Sequence, residues 1–203
     1  MRLFLVRHGQ TESNRLNLVL GRDDVPLNER GRWQAERVGR ALAHEPLAAV
    51  YSSPLQRAMD TARAVAAPHD LAVQSEQGFI EMDIGEVDGL TLAELGSRYP
   101  GLLEAWASEE GPDQPMPGGE SLVDVQERAW AAVQGLVARH TDETVVAVAH
   151  NFVILTVLVR VLGIRLAQFR RLRHSLAAVS VIDFLPARKL LVRLNDTCHL
   201  EAD

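Results

Sequence analysis

Two rhythms of apolar residues divide the chain. Short runs rich in Val, Leu, Ile and Ala occupy residues 3–6, 48–51, 71–74, 144–149, 177–184 and 190–194. Each is bounded by polar or turn-forming residues and predicts a strand, the 71–74 run most weakly. The last two predicted strands are joined by a turn at Pro186-Ala187-Arg188. Between the runs, apolar positions recur at helical spacing. Trp33, Val38, Ala41 and Leu42 mark a helix over 29–43; Leu122, Val125, Ala129, Val133, Leu136 and Val137 mark another over 121–139. A third is predicted over 54–66, with Ser53 as N-cap and Pro54 in the first helical position. A fourth, over 151–162, follows the 144–149 strand directly.

Strands alternating with helices imply a mainly parallel sheet covered on both faces. The predicted fold is therefore α/β, a three-layer α/β/α sandwich with a sheet of about six strands. The segment 78–119 breaks the alternation. It mixes Gly, Pro and acidic residues with scattered large apolar side chains such as Phe79, Met82, Leu103, Trp106 and Met116. It reads as an insertion with one or two short helices, a lid over a site, within a single domain spanning 1–203.

Composition acts mainly by exclusion. Hydrophobic residues at 47% and charged residues at 24% are globular values that exclude a disordered or collagen-like chain. A formal net charge of −6 argues against nucleic acid or an anionic membrane as partner. The longest apolar stretch, 152–164, is interrupted by Arg160 and predicts a buried helix. The opening apolar run is too brief for a signal peptide. One cysteine, Cys198, forms no internal disulfide, as in a reducing compartment, so a cytoplasmic location is expected.

In open α/β sheets ligands bind beyond the carboxyl ends of the strands. After the first strand come Arg7, His8 and Gly9. After the second come Ser52, Ser53 and Pro54, with Arg57 close behind; after the fourth come His150 and Asn151. Two imidazoles and two guanidiniums are thus predicted at one sheet edge, with His8 bare at the rim. Such a group repels itself unless an anion sits within it, and phosphate suits arginine forks. No Cys-x5-Arg, Asp-x-Asp pair, G-x-x-x-x-G-K-[ST], G-x-G-x-x-G or His-Glu-x-x-His occurs, so no metal and no cofactor is expected.

The same residues carry a resemblance. Leu5-Val6-Arg7-His8-Gly9-Gln10-Thr11-Glu12-Ser13-Asn14 is similar to the signature of the histidine phosphatase superfamily, the phosphoglycerate-mutase-like proteins. So, in order, are Gly21-Arg22-Asp23-Asp24-Val25-Pro26-Leu27, Ser52-Ser53-Pro54-Leu55-Gln56-Arg57-Ala58, Glu81, Gly118-Gly119-Glu120-Ser121, Ala149-His150 and Leu194-Asn195-Asp196.

The resemblance implies that His8 is a nucleophile forming a phosphohistidine, with Arg7, Arg57 and His150 holding the phosphoryl oxygens. It further implies that Asn14 and Gly21 border the phosphate; Asn151, expected there too, stands where many family members have Gly. Glu81 would protonate the leaving oxygen and later activate water, with Glu86 and Asp88 as substitutes nearby. That work needs a carboxyl pKa above its ordinary value, which apolar neighbours Phe79, Ile80 and Met82 favour by desolvation.

The expected activity is hydrolysis of small phosphomonoesters. A cofactor-dependent phosphoglycerate mutase is the alternative within the family, and a non-catalytic phospho-ligand binder the one outside it. The acidic 104–113 segment offers no cationic clamp for a bisphosphate, which favours hydrolysis. The substrate's organic part is left open among α-ribazole phosphate, phosphoserine, phosphoglycolate-like acids and phosphorylated sugars. The terminal strand pair leaves an edge that can pair across a homodimer.

Overall fold

A computed structural model describes residues 1–201. The apolar runs become β1 (Arg2–Arg7), β2 (Leu47–Ser52), β3 (Val73–Ser75), β4 (Thr144–Ala149), β5 (Val179–Leu185) and β6 (Arg188–Asp196). They form one sheet in the order β3-β2-β4-β1-β5-β6. The β2–β3, β2–β4 and β1–β4 pairs are parallel, whereas β1–β5 and β5–β6 are antiparallel.

Strand alternation explains the layers. Leu3 and Leu5 of β1 lie in one apolar cluster, Phe4 and Val6 in the other, so the strand is buried on both faces. Each fully buried leucine contributes about 2 kcal/mol of transfer free energy. The connections are α1 (Glu12–Arg15), α2 (Glu29–Leu42), α3 (Gln56–Ala66), α4 (Leu92–Arg98), α5 (Leu102–Ala107), α6 (Leu122–Arg139) and α7 (Asn151–Leu162). On one face α2 and α3 bury Val38, Leu42, Ala58, Ala62 and Val65. On the other, α6 and α7 bury Leu122, Val125, Ile154 and Leu158, together with Met82, Ile84, Leu95 and Trp106 of the 78–119 segment. That segment holds the two short helices α4 and α5; its Phe79, Met82, Trp106 and Met116 extend the main core, whereas Leu103 is exposed.

Several boundaries differ from the sequence reading. The helix over 54–66 begins only at Gln56, because Ser53 does not cap it. Its Oγ accepts a long bond from Leu55 N–H and faces His150, while Asp24 Oδ1 takes the Gln56 N–H at 2.7 Å. The third strand starts at Val73 rather than 71, since Asp70 turns the chain in the left-handed region at φ 54°. The fifth starts at Val179 rather than 177, because Ala177 has φ 56° and leaves the extended region. Arg188 is the first residue of β6, paired with Leu185, so the turn contains Pro186 and Ala187 alone. On β6, an edge strand, Leu190, Val192 and Leu194 are exposed.

The loop leaving β1 is set by a close backbone approach. A Cβ on Gly31 would sit 2.0 Å from Gln10 O, and one on Gly9 would sit 2.4 Å from Gly31 O. Two glycines therefore let the chain just after His8 lie against the first turn of α2. Among the described residues no helix is long and apolar enough to cross a membrane.

Candidate active site

Three parallel strands end side by side. Arg7 closes β1 opposite Ala149 of β4, and Ser52 closes β2 opposite Val148. His8, Ser53 and His150 are the next residues of each strand, so a parallel register delivers them to one edge. His8 is only 3% exposed and Arg57 is fully buried. The bare imidazole expected from the sequence is instead almost wholly covered, in a group whose Arg57, Glu81 and His150 are buried as well. Its ring centroid is 5.1 Å from that of His150.

Hydrogen bonds assign the proton on each ring. His8 Nδ1 lies 2.7 Å from the carbonyl oxygen of Gly9. A carbonyl only accepts, so Nδ1 carries the hydrogen and Nε2 keeps its lone pair. His150 Nε2 lies 2.7 Å from Ser53 Oγ, which already accepts Leu55 N–H at 3.3 Å. The hydroxyl hydrogen has no other acceptor among the described residues, so it goes to Nε2 and the His150 proton sits on Nδ1. That Nδ1 is buried without an acceptor among the described residues, as are Arg7 Nε and Arg57 Nε.

The charges have opposite preferences. Burial, then the guanidiniums of Arg57 and Arg7, hold His8 well below its ordinary pKa. Burial and the same cations do likewise to His150, with His8 itself adding to the effect. Glu81, 4% exposed, is raised by burial against the pull of Met82 N–H, Arg57, Arg7 and Phe152 N–H. Its Oε1 accepts Met82 N–H at 2.9 Å and its Oε2 accepts Phe152 N–H of the first turn of α7 at 3.4 Å. Arg7 is lowered to about 10 by burial, against the attraction of Glu81 and with repulsion from Arg57 and Arg173. The structure thus brings His8, Arg7, Arg57, Glu81 and His150 together.

The remaining residues separate into two groups. Asn14 and Asn151 line the same cleft as Arg7. Asn151 Oδ1 accepts Arg7 Nη1 at 3.1 Å, and Asn14 Oδ1 accepts Thr11 N–H in a capping box that closes α1. Gly21 is held apart: its N–H goes to Asp88 Oδ1 and its carbonyl accepts Arg57 Nη2 at 2.6 Å. A Cβ there would lie 2.5 Å from Ile84 Cγ1, so Gly21 anchors the loop around Arg57. Asp88 is engaged by Gly21 and Asp23 N–H, and Glu86 by Tyr99 O–H at 2.7 Å.

Three residues escaped the sequence reading. His174 offers its carbonyl to Arg7 Nη1 at 2.6 Å while its ring Nε2 lies 2.9 Å from Ser180 Oγ. Arg128 donates to the carbonyls of Gly78, Ile80 and Glu81 and pairs with Glu120, which clamps the strand of chain bearing Glu81. Ser53 positions His150. Only Ser53 stood in a recognisable motif; the other two act through backbone carbonyls, for which no residue pattern exists. Among the described residues no group of three or more His, Cys, Asp or Glu side chains is arranged to hold a metal ion.

Burying three neutral histidines has a cost in acid. His8, His150 and His174 all have folded pKa values below the unfolded value, His174 at about 3. The stability they contribute is full above about pH 6.5 and is lost as pH falls toward the folded values. Urea unfolding in phosphate-free buffer is expected to lose at least about 1.4 kcal/mol per pH unit between pH 6.5 and 5. A flat profile across that window would show that the rings are not buried neutral.

A sheet edge presenting two neutral imidazoles, two guanidiniums and a buried carboxyl defines the protein by class as a phosphoryl-transfer enzyme. The chain belongs to the histidine phosphatase superfamily (branch 1), whose profile it matches over residues 3–197. It is 35% identical over 200 residues to phosphoserine phosphatase 1 of Hydrogenobacter thermophilus, covering 98% of this chain and 94% of that protein. Among solved structures, Bacillus stearothermophilus YhfR superposes with a TM-score of 0.92 at 31% identity, covering 98% of this chain and 99% of that one. A mycobacterial glucosyl-3-phosphoglycerate phosphatase in complex with VO3 does so with a TM-score of 0.88 at 32% identity, covering 97% and 99%. With relatives of this kind, the chain is a phosphoric monoester hydrolase of the superfamily.

Proposed function

We propose that the protein hydrolyses small phosphomonoesters in two steps through a phosphohistidine on His8. The observation that carries this reading is the pinned tautomer of His8, whose Nε2 lone pair lies in a buried site with Arg7, Arg57 and His150. In the first step Nε2 bonds to phosphorus, the bond from phosphorus to the ester oxygen breaks, and Glu81 gives its proton to that oxygen. In the second, water attacks phosphorus, the Glu81 carboxylate takes its proton, and the phosphorus–nitrogen bond breaks to return neutral His8. One displacement becomes two, each in line.

Arg7, Arg57 and the Nδ1–H of His150 face charge on the three equatorial oxygens without reorganising. Asn151 and the His174 carbonyl hold the Arg7 fork. Asn14 borders the cleft with its amide nitrogen for the ester, and Gly21 acts through Arg57 rather than on the phosphate. A cytoplasmic setting belongs to the same reading, supported by the lone exposed thiol of Cys198.

Phosphate release from a panel of phosphomonoesters, measured beside interconversion of 2- and 3-phosphoglycerate, tests the proposal. Release inhibited by vanadate, which mimics the pentacoordinate transition state, is expected. Mutase turnover faster than phosphate release would overturn it.

A further inference from the structure

Beyond the phosphate site the cleft continues. About 760 Å³ in volume, it is lined by Arg7, Asn14 and Asn151, by the apolar Leu155, Phe169 and Leu172, and by Arg170 and Arg173. Among the described residues no carboxylate lines it, although the whole chain has a net charge of −6. Arg173 makes neither an ion pair nor a hydrogen bond among the described residues, and its charge is felt at Arg7. Arg170 gives one donor to the Trp106 carbonyl at 3.0 Å and stacks over the Trp106 and Phe169 rings, 4.9 and 4.8 Å from their centroids. Those contacts fix it between α5 and the 166–171 turn without neutralising it.

Three guanidiniums around one cleft repel each other. A phosphoryl dianion at His8 offsets Arg7 and Arg57, which leaves Arg170 and Arg173 without an anion of their own. We propose that Arg170 and Arg173 form a subsite for a second anionic group, a carboxylate, so that the preferred substrates are phosphorylated small acids. This rests on the hydrolase reading above and adds to it what the organic part must carry. Both side chains are exposed and Arg170 already donates to Trp106, which suits a singly charged group better than a second phosphate. Leu155, Phe169 and Leu172 of the lining would pack against the few carbons in between.

The test uses 3-phosphoglycerate and glycerol 3-phosphate, which differ only by a carboxylate in place of a hydroxymethyl. Wild-type kcat/KM is expected to favour 3-phosphoglycerate about 10- to 100-fold, as a charge-assisted contact allows. Arg173→Ala should bring that ratio to within about threefold, and Arg173→Lys should restore part of it. Arg188→Ala, at the opposite end of the sheet, should leave the ratio alone. Equilibrium binding of the same pair to His8→Ala protein reads the subsite without turnover.

If phosphate is released from both esters at similar kcat/KM, the subsite is overturned and the hydrolase reading stands. Should the preference appear in binding and vanish in Arg173→Ala while no phosphate is released, the subsite stands and the hydrolase reading falls. An Arg173→Ala variant that lowers both substrates equally also overturns the subsite.

Discussion

Replacing His8 with alanine is expected to lower phosphate release by about 10⁴-fold or more, the scale seen when a covalent nucleophile is removed. The imidazole packed against His8 is that of His150, with its ring 5.1 Å away. Its Nε2 receives the Ser53 hydroxyl and its Nδ1 bears the proton, so neither nitrogen has a lone pair to offer. The thiol of Cys198 is exposed, outside the buried group. Acid or alkaline quenching during turnover provides the second readout. Wild-type protein should retain phosphate through base and lose it in acid, as a phosphohistidine does, and His8→Ala protein should retain none. Turnover within about 100-fold of wild type would mean another group attacks phosphorus.

Glu81→Gln is expected to lower kcat for alkyl phosphates by about 10²- to 10⁴-fold, the usual contribution of a positioned acid or base. Glutamine keeps an acceptor for Met82 N–H but can neither give nor take the proton. The effect should depend on the leaving group. With p-nitrophenyl phosphate, whose phenolate departs unprotonated, Glu81→Gln should release one burst equivalent of p-nitrophenol and then turn over slowly, because water activation is still lost.

The pH profile has two limbs. Glu81 works first as an acid and its pKa is raised by burial, so activity falls as pH rises through that value. His8 works as the neutral base and its pKa is depressed, so activity falls as pH drops through its value. The variant should lose the alkaline limb and keep the acid one. An intact alkaline limb in Glu81→Gln would assign it to another group.

Much of this site is visible in the residue order. The 3–6, 48–51 and 144–149 runs place His8, Ser53 and His150 just past three strands because hydrophobic periodicity is local. A parallel sheet then brings strand ends to one edge whatever the loop lengths. The relative pKa directions follow less directly. Apolar neighbours of Glu81 point to its rise, but the depression of His8 comes first from burial and then from Arg57, nearly fifty residues away, and no spacing reveals either.

Where the reading failed, a distant partner had displaced a local one. Ser53 in front of Pro54 has the residue types of a helix start, yet Asp24 caps the helix at Gln56 and Ser53 holds His150. The N–H of Gly21 goes to Asp88, a partner that no local spacing reveals. Arg128 and His174 act through peptide carbonyls, which every residue owns.

The amino-acid order alone therefore determined the strands and helices, the edge at which they end, and the residue types gathered there, since each follows from neighbours along the chain. Tertiary structure decided which nitrogen of each imidazole bears hydrogen, how far His8 is covered from water, and that three arginines share a cleft in which no described residue places a carboxylate. Those properties depend on distances between residues far apart in the chain, and only the packed fold sets such distances.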